Sequence, residues 1–168
     1  SSTDITYWHN TSSKNIEESS ALHKLLEVKT RPYIKQYFAS FNGLADIKDV
    51  ELSGYTIIRH DQTHFDDIHY DTPIYMNNKL INFRPFICII YLNHKEFCGG
   101  QVLFPVQKKI VEPREGKLLL FPTSFQFPHM VTNVSDGDRY SIRLTYNFHS
   151  ALFNTNLNKW DTKYNHKD

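Results

Sequence analysis

Cysteine is nearly absent from this chain: Cys88 and Cys98 are the only two in 168 residues. Two cysteines do not build a disulfide framework, so a packed core must hold the fold. They read as free thiols in a reducing compartment. Also missing is any run of about 18 apolar residues, which leaves no candidate membrane-spanning helix. Charge of one sign is not in excess either. Nineteen basic and 18 acidic residues give a formal net charge of +1, without the basic field that nucleic-acid binders use. Neither nucleic acid nor membrane is therefore an expected partner. No internal repeat, low-complexity linker or signal peptide is visible, and a cytoplasmic location is the resulting expectation. The chain opens Ser-Ser-Thr rather than with Met, so the missing leader weighs little.

What is present is enough apolar material, 40% of the residues, for one core, including ten Tyr and twelve Phe. The length suits one domain. Three parts are distinguishable within it. Residues 1–48 read as helical support. Leu22, Leu25 and Leu26 recur at helical spacing, as do Ile34, Tyr37, Phe38 and Phe41. Pro32 lies between the two sets and predicts a break, with a second helix starting near it; Asn42-Gly43 is a plausible stop. Residues 49–148 change character. Short apolar, β-branched and aromatic runs at 55–59, 85–92, 101–105, 108–112, 117–121, 129–133 and 139–148 predict strands. Turns are expected at Asn77-Asn78, Cys98-Gly99-Gly100, Glu115-Gly116 and Asp136-Gly137-Asp138. Many short strands at this spacing predict a mainly β barrel or sandwich. Residues 149–168 are polar and Asn-rich and read as a tail.

The chemistry concentrates in "HFDDIHYDTP", residues 64–73, where His-x-Asp occurs twice, as His64/Asp66 and His69/Asp71. Residues i and i+2 of a strand point to one face, so either copy would aim an imidazole and a carboxylate at one spot. A second His from a distant strand would complete a two-His, one-carboxylate face with open positions, which suits non-haem Fe(II). His129, in "FPHMVTN", is the candidate. Ten residues on, Arg139 and Ser141 share a strand face in "RYSIRLTYNF", and a guanidinium with a hydroxyl is a good receptor for a carboxylate. Positions 64 and 69 differ by an odd number, so both pairs cannot serve one metal from one regular strand.

The ordered set His69-x-Asp71, Tyr91-Leu92-Asn93, Gly99-Gly100…Phe104-Pro105, Gly116…Phe121, His129 and Arg139-x-Ser141 resembles the 2-oxoglutarate/Fe(II)-dependent dioxygenases, in particular their prolyl 4-hydroxylase-like branch. The match covers roughly residues 50 to 148. The resemblance implies a double-stranded β-helix (jelly roll) with the N-terminal helices packed on it. It implies His69, Asp71 and His129 on iron, and favours this copy because an aromatic, Phe65, precedes His69 and Thr72-Pro73 follows Asp71. It implies Arg139 on the far carboxylate of 2-oxoglutarate, aided by Tyr91 and Ser141. Fe(II), 2-oxoglutarate and O2 are the implied cofactors, with ascorbate as a candidate accessory.

The substrate implied by the resemblance is a peptide or protein containing proline. The stretch "TPIYMNNKLINF" is where relatives place a substrate-covering loop or hairpin, and its Tyr75 and Phe83 could stack on a proline ring. Arg84, just before "PFICIIYLN", resembles a family arginine near the pocket mouth. Arg143 shares the face of Arg139 and Ser141 and needs a partner if buried. It either binds an anionic group of cosubstrate or substrate, or pairs with Asp66 or Asp67. Two other readings stand beside the prolyl one: hydroxylation of a free amino acid or other small acid, and a non-catalytic barrel that binds a small acid or sugar. The complete ligand set argues against the last. His64 and Asp66 read as a rim pair near the pocket or, in preference, as part of a solvated loop, Cys88 as core, and Gly99-Gly100 as a turn without chemistry.

Overall fold

Among the described residues, one helix precedes eleven strands: α1 (Ser13–Ala39), β1 (Val50–His60), β2 (Ile74–Met76), β3 (Lys79–Asn82), β4 (Phe86–Tyr91), β5 (Cys98–Gly99), β6 (Val102–Phe104), β7 (Lys109–Val111), β8 (Leu118–Pro122), β9 (Met130–Val131), β10 (Val134–Ser135) and β11 (Arg139–Phe148). This computed structural model describes residues 13–40, 50–63, 66–71, 74–76, 79–82 and 84–148, without the side chains of 13–19, 74–82 and 148. The expected features at His64, Asn42-Gly43, Thr72-Pro73, Asn77-Asn78 and 149–168 lie outside the described residues, as does the side chain of Tyr75.

The larger sheet has the order β1-β11-β4-β8, with every neighbouring pair antiparallel. The alternation of side chains in β11 and β4 gives this sheet two buried faces. Ile142, Leu144 and Tyr146 join Phe86 and Cys88 against Leu26, Ile34 and Phe38 of α1 and Val50, Leu52 and Tyr55 of β1. The opposite face carries Ile87 and Phe121. These pack on Val102, Phe104 and Val131 of a second sheet, ordered β7-β6-β9. A strand buried on both faces needs an unbroken apolar run, which is why β4 reads FICIIY. Helix, sheet and second sheet thus form three layers, and the described β part has the jelly-roll fold that the resemblance implied. Because β11 is an interior strand, its odd-numbered side chains point only into the space between the sheets.

Two expectations are corrected. The helix does not break at Pro32; α1 continues through it. Proline removes the bond to the carbonyl four residues back, that of Val28. Val28 is 61% exposed and Pro32 is exposed too, so water can take that carbonyl. The far side of the helix is held by the burial of Leu26, Ile34 and Phe38, and by the Thr30 hydroxyl between the Leu26 carbonyl and the Tyr146 hydroxyl, at 2.7 Å each. The second correction concerns Cys98-Gly99. These residues form β5 and pair with β10 rather than making only a turn. Gly99 has φ +78°, and a Cβ there would collide with the Asn133 carbonyl, so only glycine permits this approach.

The cysteines differ as expected from the strand parity of Cys88. Burial raises the Cys88 thiol from 9.0 to about 12, whereas Cys98 is exposed. The thiolate is the reactive form. An aromatic disulfide reagent at pH 8 should therefore titrate one thiol in the native protein and two in denaturant. Two fast native thiols would contradict this packing.

Candidate metal and cosubstrate site

The short β9 begins one residue after His129, and His129 forms an antiparallel bridge with His69. The two backbones exchange hydrogen bonds of 2.9 Å and 2.8 Å. This places the imidazoles side by side, with ring centroids 4.5 Å apart. Each ring is oriented from behind. His69 Nδ1 lies 2.7 Å from the Asp67 carbonyl, and His129 Nδ1 lies 3.1 Å from the Phe127 carbonyl. A carbonyl only accepts, so each Nδ1 donates to it, which turns Nε2 of each ring toward the site. The ring of His129 is wedged against Phe121 at 4.7 Å and Phe104 at 5.8 Å, which fixes its plane.

Asp71 completes the group. Its Oδ2 is 3.4 Å from His129 Nε2, and one ligand atom from each of His69, Asp71 and His129 lies within 4.8 Å of the others. Burial pushes the Asp71 carboxyl up. Contact with His129 and the nearby Arg84 and Arg143 outweigh this, leaving it below the ordinary carboxylate value. It is therefore ionised at neutral pH. Two imidazoles and one carboxylate on one side, with the other side open to a cavity, are the donor set of an octahedral Fe(II) site with free positions.

That cavity, about 130 Å³, is lined by the three residues together with His60, Asp66, Arg139, Ser141 and Arg143 on an apolar wall. Arg139 is 1% exposed, and its Nε and Nη1 have no hydrogen-bond partner among the described residues. Its guanidinium carbon sits 5.1 Å from the centre of the Tyr91 ring. The Tyr91 hydroxyl is buried and also lacks a partner. Burial raises the Tyr91 phenol, with Arg139 opposing, so the hydroxyl is neutral and can donate. Buried donors without acceptors are costly, and a fully buried arginine in that state is a receptor waiting for an anion. Ser141, 1% exposed, faces Tyr91 across the β11–β4 pairing.

Asn93 explains how this arginine is placed. Its side-chain amide donates to the Asp138 carbonyl at 2.9 Å and accepts from the Tyr140 N–H at 2.8 Å, clamping the backbone on both sides of Arg139. Gly100 contributes as well, a role not expected of a turn glycine. A Cβ at Gly100 would stand 2.8 Å from Arg139 Cδ, and its φ is +70°. Gly100→Ala should therefore destabilise the fold by about 1–3 kcal/mol and weaken 2-oxoglutarate binding. Denaturant unfolding and calorimetry test the two effects; a stability loss with unchanged affinity would separate Gly100 from the site.

His60 was not expected here, and Asp66 was read in preference as solvated. Asp66 lines the cavity instead of belonging to a solvated loop, with its carboxylate 3.5 Å from Nε2 of the buried His60. The only sequence hint was that Asp66 belongs to the other His-x-Asp copy. Arg84 Nη2 stands 4.0 Å from Asp71 Oδ1, and Arg143 makes no ion pair with Asp66 or Asp67 among the described residues. The backbone of Tyr75 lies on the β2–β3 hairpin. A wider groove of about 690 Å³ runs between α1 and β8, past Tyr33, Tyr37, Leu118 and Leu120. Among the described residues it holds no cluster of ligating side chains.

Comparisons with known proteins agree with this geometry. A family model described as the 2OG-Fe(II) oxygenase superfamily matches residues 54–149. No curated protein matches. Among solved structures, the truncated viral collagen prolyl hydroxylase of Paramecium bursaria Chlorella virus-1 has a TM-score of 0.59 at 16% identity, over 76% of this chain and 68% of that one. The 2OG complex of the same viral hydroxylase gives 0.61 at 14% identity, over 88% and 79%. A prolyl-4-hydroxylase from Pseudomonas putida gives 0.50 at 21% identity, over 88% and 71%. At such identities the likeness concerns the fold.

Proposed function

We propose, from the premise that this chain belongs to the 2OG-Fe(II) oxygenase superfamily, that it hydroxylates a C–H bond of a peptidyl proline. The family uses Fe(II), 2-oxoglutarate and O2. In this reading His69, Asp71 and His129 hold the iron, and Arg139 pairs with the far carboxylate of 2-oxoglutarate. The observation that carries it is the convergence of three ligand atoms within 4.8 Å on a cavity that also contains a buried guanidinium, two of whose nitrogens find no hydrogen-bond partner among the described residues. The donor chemistry fits the cofactors: a borderline-to-hard N2O face for a divalent ion, and a planar fork for a carboxylate.

When bound, iron and 2-oxoglutarate would supply, with O2 as oxidant, an oxidative decarboxylation to succinate and CO2 coupled to hydroxylation of one C–H bond, one oxygen atom going to succinate and the other to the hydroxyl. The chain's own residues bind and orient. The Asp67 and Phe127 carbonyls keep both imidazoles aimed inward. Phe104 and Phe121 wall off His129 from solvent. Tyr91 donates its hydroxyl toward the carboxylate held by Arg139, and Ser141 offers a second donor beside it. No general base is required, since the reaction needs placement of one C–H bond rather than abstraction of a proton.

Proline is favoured by the prolyl 4-hydroxylase-like pattern of the site residues and by the hydroxylases among the fold relatives. The test is succinate formation from 2-oxoglutarate under O2 with added Fe(II), with and without proline-containing peptides. Stimulation by peptide is the expected result. Stimulation by free proline alone would make the chain a small-molecule hydroxylase, and no 2-oxoglutarate consumption by folded, iron-loaded protein would make it a binding protein.

A further inference from the structure

Arg143 is a cation that the cofactors do not account for. It lies on β11, four residues beyond Arg139, so the two Cα atoms are about 13 Å apart at strand rise. Its register partners are Thr56 on β1 and Ile89 on β4. Held between two neighbouring strands, the side chain turns into the cavity that His69, Asp71 and His129 line. Its Nε is buried without a hydrogen-bond partner among the described residues.

The charges around the two arginines differ. Arg139 is coupled to Tyr91 and Asp66. Arg143 acts on Asp71 and on Arg84. Burial depresses Arg84, Asp71 opposes this, and repulsion from Arg143 adds to it. Two guanidiniums thus crowd one carboxylate, and that carboxylate is the one proposed to serve the metal. Once Asp71 is committed to a dication, neither Arg84 nor Arg143 keeps an anion of its own among the described residues. The ion, Asp71, the two carboxylates of 2-oxoglutarate and Arg139 cancel in formal charge. Among the described residues, Arg143 inside the cavity and Arg84 beside Asp71 then add two positive charges. Asp66, beside His60 and on the Arg139 side, offsets one of these. A surplus of positive charge in a partly buried cavity is expensive unless a ligand neutralises it.

We infer that Arg143 is the receptor for a carboxylate that the substrate carries next to the hydroxylated proline ring. The substrate class is then an acidic prolyl compound: a proline flanked by an acidic residue, or a proline with its own α-carboxylate free. This rests on the prolyl hydroxylase reading above.

The experiment uses iron-loaded protein with saturating 2-oxoglutarate and reads peptide-stimulated succinate. Two isosteric pairs are compared: N-acetylated peptides with Pro-Glu against Pro-Gln, and peptides ending in proline as the free acid against the amide. At least one acid should exceed its neutral isostere in kcat/KM by ~10–100-fold, the worth of a charge-assisted hydrogen bond. Which pair shows the preference identifies the source of the carboxylate. In Arg143→Met the ratio should fall to about one, and Arg143→Lys should restore part of it. The readout is a ratio within each protein, so partial misfolding of a variant leaves it unaltered. Equal use of acid and neutral peptides by the wild type would overturn the proposal while leaving the prolyl reading intact. A preference that survives in Arg143→Met would overturn it too. Absence of stimulation by every peptide would overturn the prolyl reading and the proposal together.

Discussion

His69→Ala should eliminate succinate formation from 2-oxoglutarate, while His64→Ala should leave it largely intact. The first variant removes one of three ligand atoms that lie within 4.8 Å of one another. The group is complete without His64. Loss of a residue that merely orients a ligand costs about 10–100-fold in metal affinity, so loss of the ligand itself should cost more than ~100-fold. The variant should still fold. His69 is exposed, and its tie to His129 runs through backbone N–H and C=O groups that alanine retains. Equilibrium dialysis against Co(II) separates the two causes of inactivity, since a folded His69→Ala protein should fail to retain the ion. Activity lost in His64→Ala and kept in His69→Ala would mean that the other His-x-Asp copy holds the metal.

Strand parity made much of this site legible. Because β11 and β4 have two buried faces, the odd positions 139, 141 and 143 and the even positions 142, 144 and 146 could be told apart from spacing alone. The same rule separated Cys88 from Tyr91. The choice between the two His-x-Asp copies rested on the odd offset between 64 and 69 together with the family pattern; His64 lies outside the described residues, and among these His69 bridges to His129. What spacing could not reveal were contacts set by tertiary approach. Gly100 looks like any turn glycine until the Arg139 methylenes are seen beside it. Asp66 looks solvated in an acidic doublet until His60 is found 3.5 Å away. Pro32 signals a break, and only its exposed position beside Val28 shows why the helix tolerates it. The two-residue strands β5 and β10 carry too few side chains to give a period at all.

Arg139→Met should abolish the response to 2-oxoglutarate without lowering the stability of the ligand-free protein. In the ligand-free fold Arg139 is a cost: it is 1% exposed, burial depresses its pKa, and Nε and Nη1 find no acceptor. Replacing a buried, unsatisfied cation by an apolar chain of similar length is neutral or stabilising. The cost is offset only when a carboxylate enters. Each hydrogen bond to a charged group contributes about 1.5–3 kcal/mol, so two of them correspond to ~10²–10⁴-fold in affinity for 2-oxoglutarate. Thermal unfolding with and without 2-oxoglutarate, in the presence of Mn(II), measures both halves. The wild type should gain stability with ligand concentration, as binding to the native state alone requires. Arg139→Met should start at or above the ligand-free wild type and then stay flat. A variant that starts well below it would make Arg139 a structural residue. One that still responds to 2-oxoglutarate would move the cosubstrate carboxylate to Arg143.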